Sequence, residues 1–477
     1  MVTTAAAEVL YEAKAGIPSY HPHPGYHEQD PEELFQAVIS VLTKAIAFLP
    51  QRQELLAVSF SAAMHSLLAV DKKGIPLTGL WTWADTRSNA VAVSLKQTSL
   101  GNQLHLQTGT PVHPMSPLCK IAWIRKEMPE VFAATHKFIS GKEYVFYRLT
   151  QAFTVDTGIA SATGLLDVQT LEWSQEAMDF AGIDERYLSR LAQPADPLPP
   201  IRAAYIDQLR LPADVLFIHG GSDGSLANTG AGAVLPGEAA LTIGTSGAIR
   251  ILHSNPVLDE QNRLFNYRLD NEFYLPGGAI NNGGILLEWF VQTFTDNIKP
   301  FDAYLEELMP LAAKIEPGAE GLVFLPYING ERAPVWDAGA CGMFTGMKAL
   351  HTRAHYLRAV MEGVGFAMKQ VLIALEENGL HVDTLFAGGG FIAFPQWLRI
   401  LTDILQRPVH VSHAADASAM GAIFMAMKAT GHIKNWSGIK KFIKEEEACL
   451  PDPATAPLYE KNYAVYSRLY PQFRQTG

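Results

Sequence analysis

Short apolar runs alternate with amphipathic stretches along the whole chain, which is the pattern of an α/β protein. Leu55 to Ala62 reads as a buried strand that runs into Ala63-Met64-His65-Ser66, with a second strand at Leu67 to Val70. Asp71-Lys72-Lys73-Gly74 turns the chain, and Leu77 to Trp83 is extended again. Val215 to His219 is another β-branched and aromatic run, broken by Gly220 and Gly221, after which Ser222 caps a helix. Ala239 to Arg250 reads as strand, Gly-Thr-Ser-Gly turn and strand, and Leu385 to Gly390 as a strand ending in three glycines. Helical spacing places Leu34, Val38, Val41, Leu42 and Ala45 on one face, after a start at Asp30-Pro31-Glu32-Glu33. It also aligns Trp397, Leu398, Ile400, Leu401, Ile404 and Leu405. The loop from Thr108 enters a helix around Pro117, and Gly141 to Tyr144 precedes another. Asp416 to Met427 is a small-residue helix start suited to close packing. The first residues read as the second half of a strand pair, although Ala5 to Lys14 carries helix propensity.

Composition narrows this picture. A chain of 477 residues is too long for one core, so two domains are expected. With 48% hydrophobic and 18% charged residues it is globular, not disordered. A formal net charge of -11 argues against a nucleic-acid partner. Cys119, Cys341 and Cys449 lie far apart, with neither metal spacing nor a disulfide framework, as suits a reducing cytoplasm. No apolar run reaches the ~18 residues of a membrane span, and no signal-peptide pattern opens the chain. His21, His23 and His27 fall in the turn-rich stretch from Pro18 to Pro31, which reads as a surface loop before it reads as a metal site.

Candidate chemistry collects at three places. Asp223 follows a strand and opens a helix, where ligands gather in α/β folds and a carboxylate is kept ionised by the helix N-terminus. It is either a base for a substrate hydroxyl or a helix cap. His65 after one strand, and Asp85 and Arg87 after another, supply the mixed donors and acceptors that a polyol asks for, with Trp81 and Trp83 as an aromatic wall. The alternative is an internal Asp85–Arg87 ion pair with His65 satisfied in the core. Three Gly-rich turns follow strands in the second half: Gly244-Thr245-Ser246-Gly247, the turn within Pro276 to Trp289, and Gly388-Gly389-Gly390. Such turns expose backbone N–H groups to phosphate. None is a Walker loop or a dinucleotide fingerprint.

Together these motifs resemble the FGGY carbohydrate kinases over nearly the whole chain, and within them the members that phosphorylate gluconate. The resemblance rests on SFSAAMHSLLAVDKKG (59–74), WTWADTRS (81–88), HPMSPLCKIAW (113–123), GGSDGSLANTGAG (220–232), LTIGTSG (241–247), GGAINNGG (277–284), PYINGERAPVWD (326–337) and FAGGG (386–390). It implies two actin-like (ribonuclease H-like) α/β domains with a nucleotide cleft between them: residues 1–232 for the sugar and 233–477 for ATP. It implies Asp223 as general base, Met64, His65, Asp85 and Arg87 in the sugar pocket, and Gly244, Thr245, Gly284, Gly388 and Gly389 at ATP. The implied reaction is ATP- and Mg²⁺-dependent phosphorylation of a primary hydroxyl, D-gluconate to 6-phospho-D-gluconate, with xylulose or a related polyol as alternative. No metal ligand is assigned and neither nucleic acid nor membrane is a partner. A cytoplasmic protein is expected, and a homodimer is compatible with the pattern. The chain departs from the family at its start, where an Asp-x-Gly-Thr phosphate turn on a first strand is not found and Met1-Val2-Thr3-Thr4 aligns just past it. Either the start is assigned too late, or the product is a catalytically impaired sugar- or nucleotide-binding remnant. Cys341 and Phe391 are smaller departures.

Overall fold

The computed structural model describes residues 1–49, 54–212, 214–412, 416–444 and 447–474. The chain forms two compact units. The first comprises residues 1–230, 253–275 and 415–443, and the second residues 231–252, 276–414 and 444–477. The stretch 233–477 is therefore divided between them, because two of its segments return to the first unit.

In the first unit, Val2–Thr3 pairs antiparallel with Val9–Tyr11, so Ala5 to Lys14 is not a helix. The reason is local. Thr4 Oγ1 accepts from the N–H groups of Ala6 (3.1 Å) and Glu8 (3.3 Å), which closes a turn where a helix would need those donors. The helix Pro31–Phe48 starts where the sequence places it: the Asp30 carboxylate accepts from the N–H groups of Glu32 and Glu33, Pro31 takes the first position, and Phe35, Ile39 and Ile46 face inward. Gly141 to Tyr144 does not precede a helix but is its first turn, in Gly141–Thr150, closed by a reciprocal Ser140–Glu143 capping box. Leu77 to Trp83 contributes only Leu80–Trp81 to a ladder.

The strand Ala57–Ala62 runs parallel to Leu216–Ser222, with Leu216 opposite Ala57 and Ser222 opposite Ala62. Gly220 and Gly221 do not end that strand. They form a bulge, where the register shifts between Ile218 and Gly221. Gly220 has φ +71°, and a Cβ there would lie 1.8 Å from the Phe60 carbonyl oxygen, so no other residue fits. Beneath these strands a core forms around Phe35, Ile139, Tyr144, Leu149 and Phe217. A second is built on Leu67, Trp81, Leu104, Ile121, Phe138 and Leu165. The helix Asp223–Gly230 lies against Ala417–Ala429 at backbone distance: a Cβ on Gly421 would come within 1.9 Å of the Leu226 carbonyl oxygen.

In the second unit, Glu238–Ile243 and Gly247–Ile251 form the expected hairpin. Thr384–Gly388 pairs parallel with Glu238–Ile243, and Val409–Val411 pairs parallel with Thr384–Gly388. On the other side Tyr274–Ile280 pairs antiparallel with Gly247–Ile251, so the sheet is mixed. The long helix Arg353–Glu377 is buried along most of its length. The helix Pro395–Leu405 buries Trp397, Ile400, Leu401, Ile404 and Leu405 of the predicted stripe and leaves Leu398 half-buried.

Candidate active site

Asp223 is the first residue of its helix, directly after the strand Leu216–Ser222. The cap is Ser222, whose Oγ accepts the Ser225 N–H at 3.2 Å. Asp223 is half-buried, and its Oδ1 accepts the N–H of Gly224 at 2.7 Å. Behind it, the wholly buried Lys142 donates to Asp156 Oδ2 (2.7 Å) and to the Gly221 carbonyl (3.2 Å). Asp156 in turn accepts the Ile159 N–H at 3.0 Å. An ion pair thus holds the end of the strand that delivers Asp223. Its members lie in GKEY and TVDTG, two stretches of the sequence that carry no catalytic signature.

In the W-x-D-x-R segment Asp85 and Arg87 form an ion pair. Asp85 is wholly buried and accepts from Arg87 Nε at 2.9 Å, Arg87 Nη2 at 2.7 Å and the His27 N–H at 2.9 Å. Arg87 also donates to Glu28 and is sandwiched between Tyr26 and Trp81, 3.7 and 3.8 Å from the ring centres. His65 is buried: its Nδ1 contacts the Ala162 carbonyl at 2.7 Å and its Nε2 the Tyr267 hydroxyl at 3.3 Å. Met64, half-buried beside it, packs on Val155, Ile159 and Leu166. His65 has φ +64°, a left-handed backbone that a histidine adopts at a cost.

Lys120 joins the two loops. It is wholly buried on the helix Pro117–Glu127 and donates to the carbonyls of His65 and Thr82, each at 2.7 Å. Burial lowers its pKa to about 7, against the opposing pull of Asp85. The sequence signal was present: a lysine inside the apolar helical run LCKIAW must spend its charge on something.

In the second unit the predicted phosphate turns converge. Gly284 N–H donates to the Gly244 carbonyl at 2.6 Å, and the Thr245 carbonyl accepts from Gly283 and Ile285. Gly388 stands opposite Thr242 in the parallel ladder. Gly389 has φ +100°, and a Cβ there would lie 2.4 Å from the Ile243 carbonyl oxygen. At Gly244 and Gly390 an added Cβ would meet nothing within 4 Å, so the backbone borders open space at both turns. The motif PYINGERAPVWD supplies the support. Glu331, wholly buried, accepts from the N–H groups of Asn281 and Arg332 and from Asn282 Nδ2, and its pKa is pushed up to about 7 by burial. Arg332 Nε donates to Asn281 Oδ1 at 2.7 Å. Neither residue carried an assigned role in the sequence, although a charged pair between apolar runs was visible.

His21, His23 and His27 stay in a loop, and among the described residues no group of three or more His, Cys, Asp or Glu side chains gathers as metal ligands. No described helix is long and apolar enough to cross a membrane.

Residues 1–230 match the N-terminal domain of the FGGY family of carbohydrate kinases and residues 239–430 its C-terminal domain. The chain belongs to that family. As an FGGY kinase it is 36% identical to a gluconokinase of Bacillus subtilis (strain 168) over 473 residues, covering 97% of this chain and 91% of the relative. The fold matches a ligand-bound xylulose kinase from Lactobacillus acidophilus, with TM-score 0.93 and 32% identity over 99% of this chain and 96% of the other. It also matches a gluconate kinase from the same species, with TM-score 0.91 and 32% identity over 96% and 94%. The two α/β units are those of the FGGY kinase fold, and the activity is that of a carbohydrate kinase.

Proposed function

We propose that this FGGY kinase transfers the γ-phosphoryl group of ATP to the primary hydroxyl of a sugar acid, converting D-gluconate to 6-phospho-D-gluconate. The observation that carries the reaction is the place of Asp223, at the junction of strand and helix and clear of the capping role that Ser222 fills. Asp223 takes the hydroxyl proton as the substrate oxygen bonds to the γ-phosphorus and the bond to the β-bridging oxygen breaks, releasing ADP. The Thr245 hydroxyl and the turns at Gly244, Gly284, Gly388 and Gly389 border the phosphates, and the open space at Gly244 fits that use. Met64 and His65 face the sugar, and Arg87 orients it from a guanidinium already locked by Asp85 and Glu28. Magnesium enters with the nucleotide, where it neutralises phosphate charge.

The choice of gluconate follows the Bacillus relative, and the xylulose kinase likeness makes D-xylulose the competing substrate. An ADP-release assay over D-gluconate, D-xylulose, glycerol and related polyols decides between them. D-gluconate is expected to have the highest kcat/KM, and a preference for D-xylulose would overturn the substrate. Asp223→Ala is expected to lower kcat by about 10²–10⁴ with an unchanged melting temperature. A variant retaining most of its turnover would remove Asp223 from the role of base. No turnover of any sugar by the unaltered protein, with binding retained, would favour the binding remnant.

A further inference from the structure

We infer that Lys120 is a positioning residue for sugar recognition, tying the strained His65 turn to the loop that carries Asp85 and Arg87. The inference deepens the kinase reading and rests on it for the identity of the sugar. Leu67 and Trp81 exchange two backbone hydrogen bonds, of 2.9 and 2.8 Å. Past that pair the two chains part, towards His65 on one side and Thr82 on the other. Both carbonyls at the parting are taken by one ammonium, at 2.7 Å each. The Thr82 carbonyl also accepts the Asp85 N–H at 3.2 Å, so the lysine grips the turn that sets Asp85.

Among the described residues Lys120 has no carboxylate within ion-pair distance, and Asp85 is already engaged by Arg87 and His27. A wholly buried ammonium satisfied by neutral carbonyls is an expensive way to fill space, since methionine would fill the same volume without desolvating a charge. What methionine lacks is the pair of N–H groups. Those bonds act where the backbone is least content: His65 at φ +64° has its carbonyl held by Lys120 and its ring by Ala162 and Tyr267. Over-determination of this kind is what keeps a strained turn in place. The lowered pKa of Lys120 agrees with this burial, and a neutral amine still donates two hydrogen bonds.

The test compares Lys120→Met with the unaltered protein by steady-state kinetics and by amide hydrogen exchange. KM for the sugar is expected to rise by about tenfold or more, as loss of two charge-assisted hydrogen bonds implies, while KM for ATP stays within about twofold. Exchange is expected to speed up in the peptides covering 63–66 and 81–87 and not in the helix Pro31–Phe48. An unchanged sugar KM, or equal rises in both KM values with loosening throughout the first unit, would reduce Lys120 to a core residue and overturn the inference. If Lys120→Met does not fold, Lys120→Gln keeps two N–H donors on a shorter stem and is expected to give an intermediate sugar KM with an unchanged KM for ATP; equal rises in both KM values in that variant would overturn the inference. If the unaltered protein phosphorylates no sugar, the kinase reading fails and the exchange comparison alone decides the positioning role.

Discussion

Single charges decide how these sites are built, and Glu331 is one that pH reaches. Its carboxyl is pushed up to about 7 from 4.5 by burial, so the folded state holds its proton where the unfolded chain has lost it. The sign follows: its contribution to stability is complete below pH 4.5 and is lost as pH rises to 7. A shift of that size is worth about 3 kcal/mol. Glu331→Gln cannot titrate, so between pH 4.5 and 7.5 its unfolding free energy is expected to fall by less than that of the unaltered protein. Urea melts at several pH values measure this, and parallel curves would show that Glu331 does not titrate in the window. At this scale the sequence was legible where chain geometry announces itself, as at Asp223 between a strand and a capped helix. It was less so where a role depends on distant partners. Nothing local says that Lys120 reaches two carbonyls, or that Glu331 braces a turn some fifty residues earlier in the chain.

Between elements, the tightest contact is that of the helices Asp223–Gly230 and Ala417–Ala429. A Cβ on Gly421 would sit 1.9 Å from the Leu226 carbonyl oxygen, and one on Gly230 1.7 Å from that of Ala417. Gly421→Ala must therefore push the helix that begins with Asp223. The expected cost is about 1–3 kcal/mol in stability, with a loss of kcat larger than thermal melting alone explains, because the carboxylate moves with its helix. A variant with native kcat would show that the pair yields elsewhere. The strands and the amphipathic helices were legible because apolar spacing is local. At the opening, the strand reading holds against the helix propensity of Ala5 to Lys14, because the Thr4 hydroxyl competes for the N–H groups such a helix would use. The strand before Asp223 outran its glycines because glycine permits a bulge as readily as a stop.

For the whole molecule, length alone points to more than one core, but segments that return across hundreds of residues leave no local pattern. Residues 253–275 and 415–443 belong to the first unit, and the second of these brings the helix that covers Leu226. A fragment of residues 1–230 is therefore expected to lack a fixed tertiary structure, with a flat near-ultraviolet circular dichroism spectrum; sharp, native-like aromatic bands would contradict this. The interleaving also constrains how such a chain can be re-engineered. Grafting the latter half of a relative at residue 230 would import foreign pieces into the first unit. A chimera meant to change only the second unit has to exchange three separate stretches and leave two islands between them untouched.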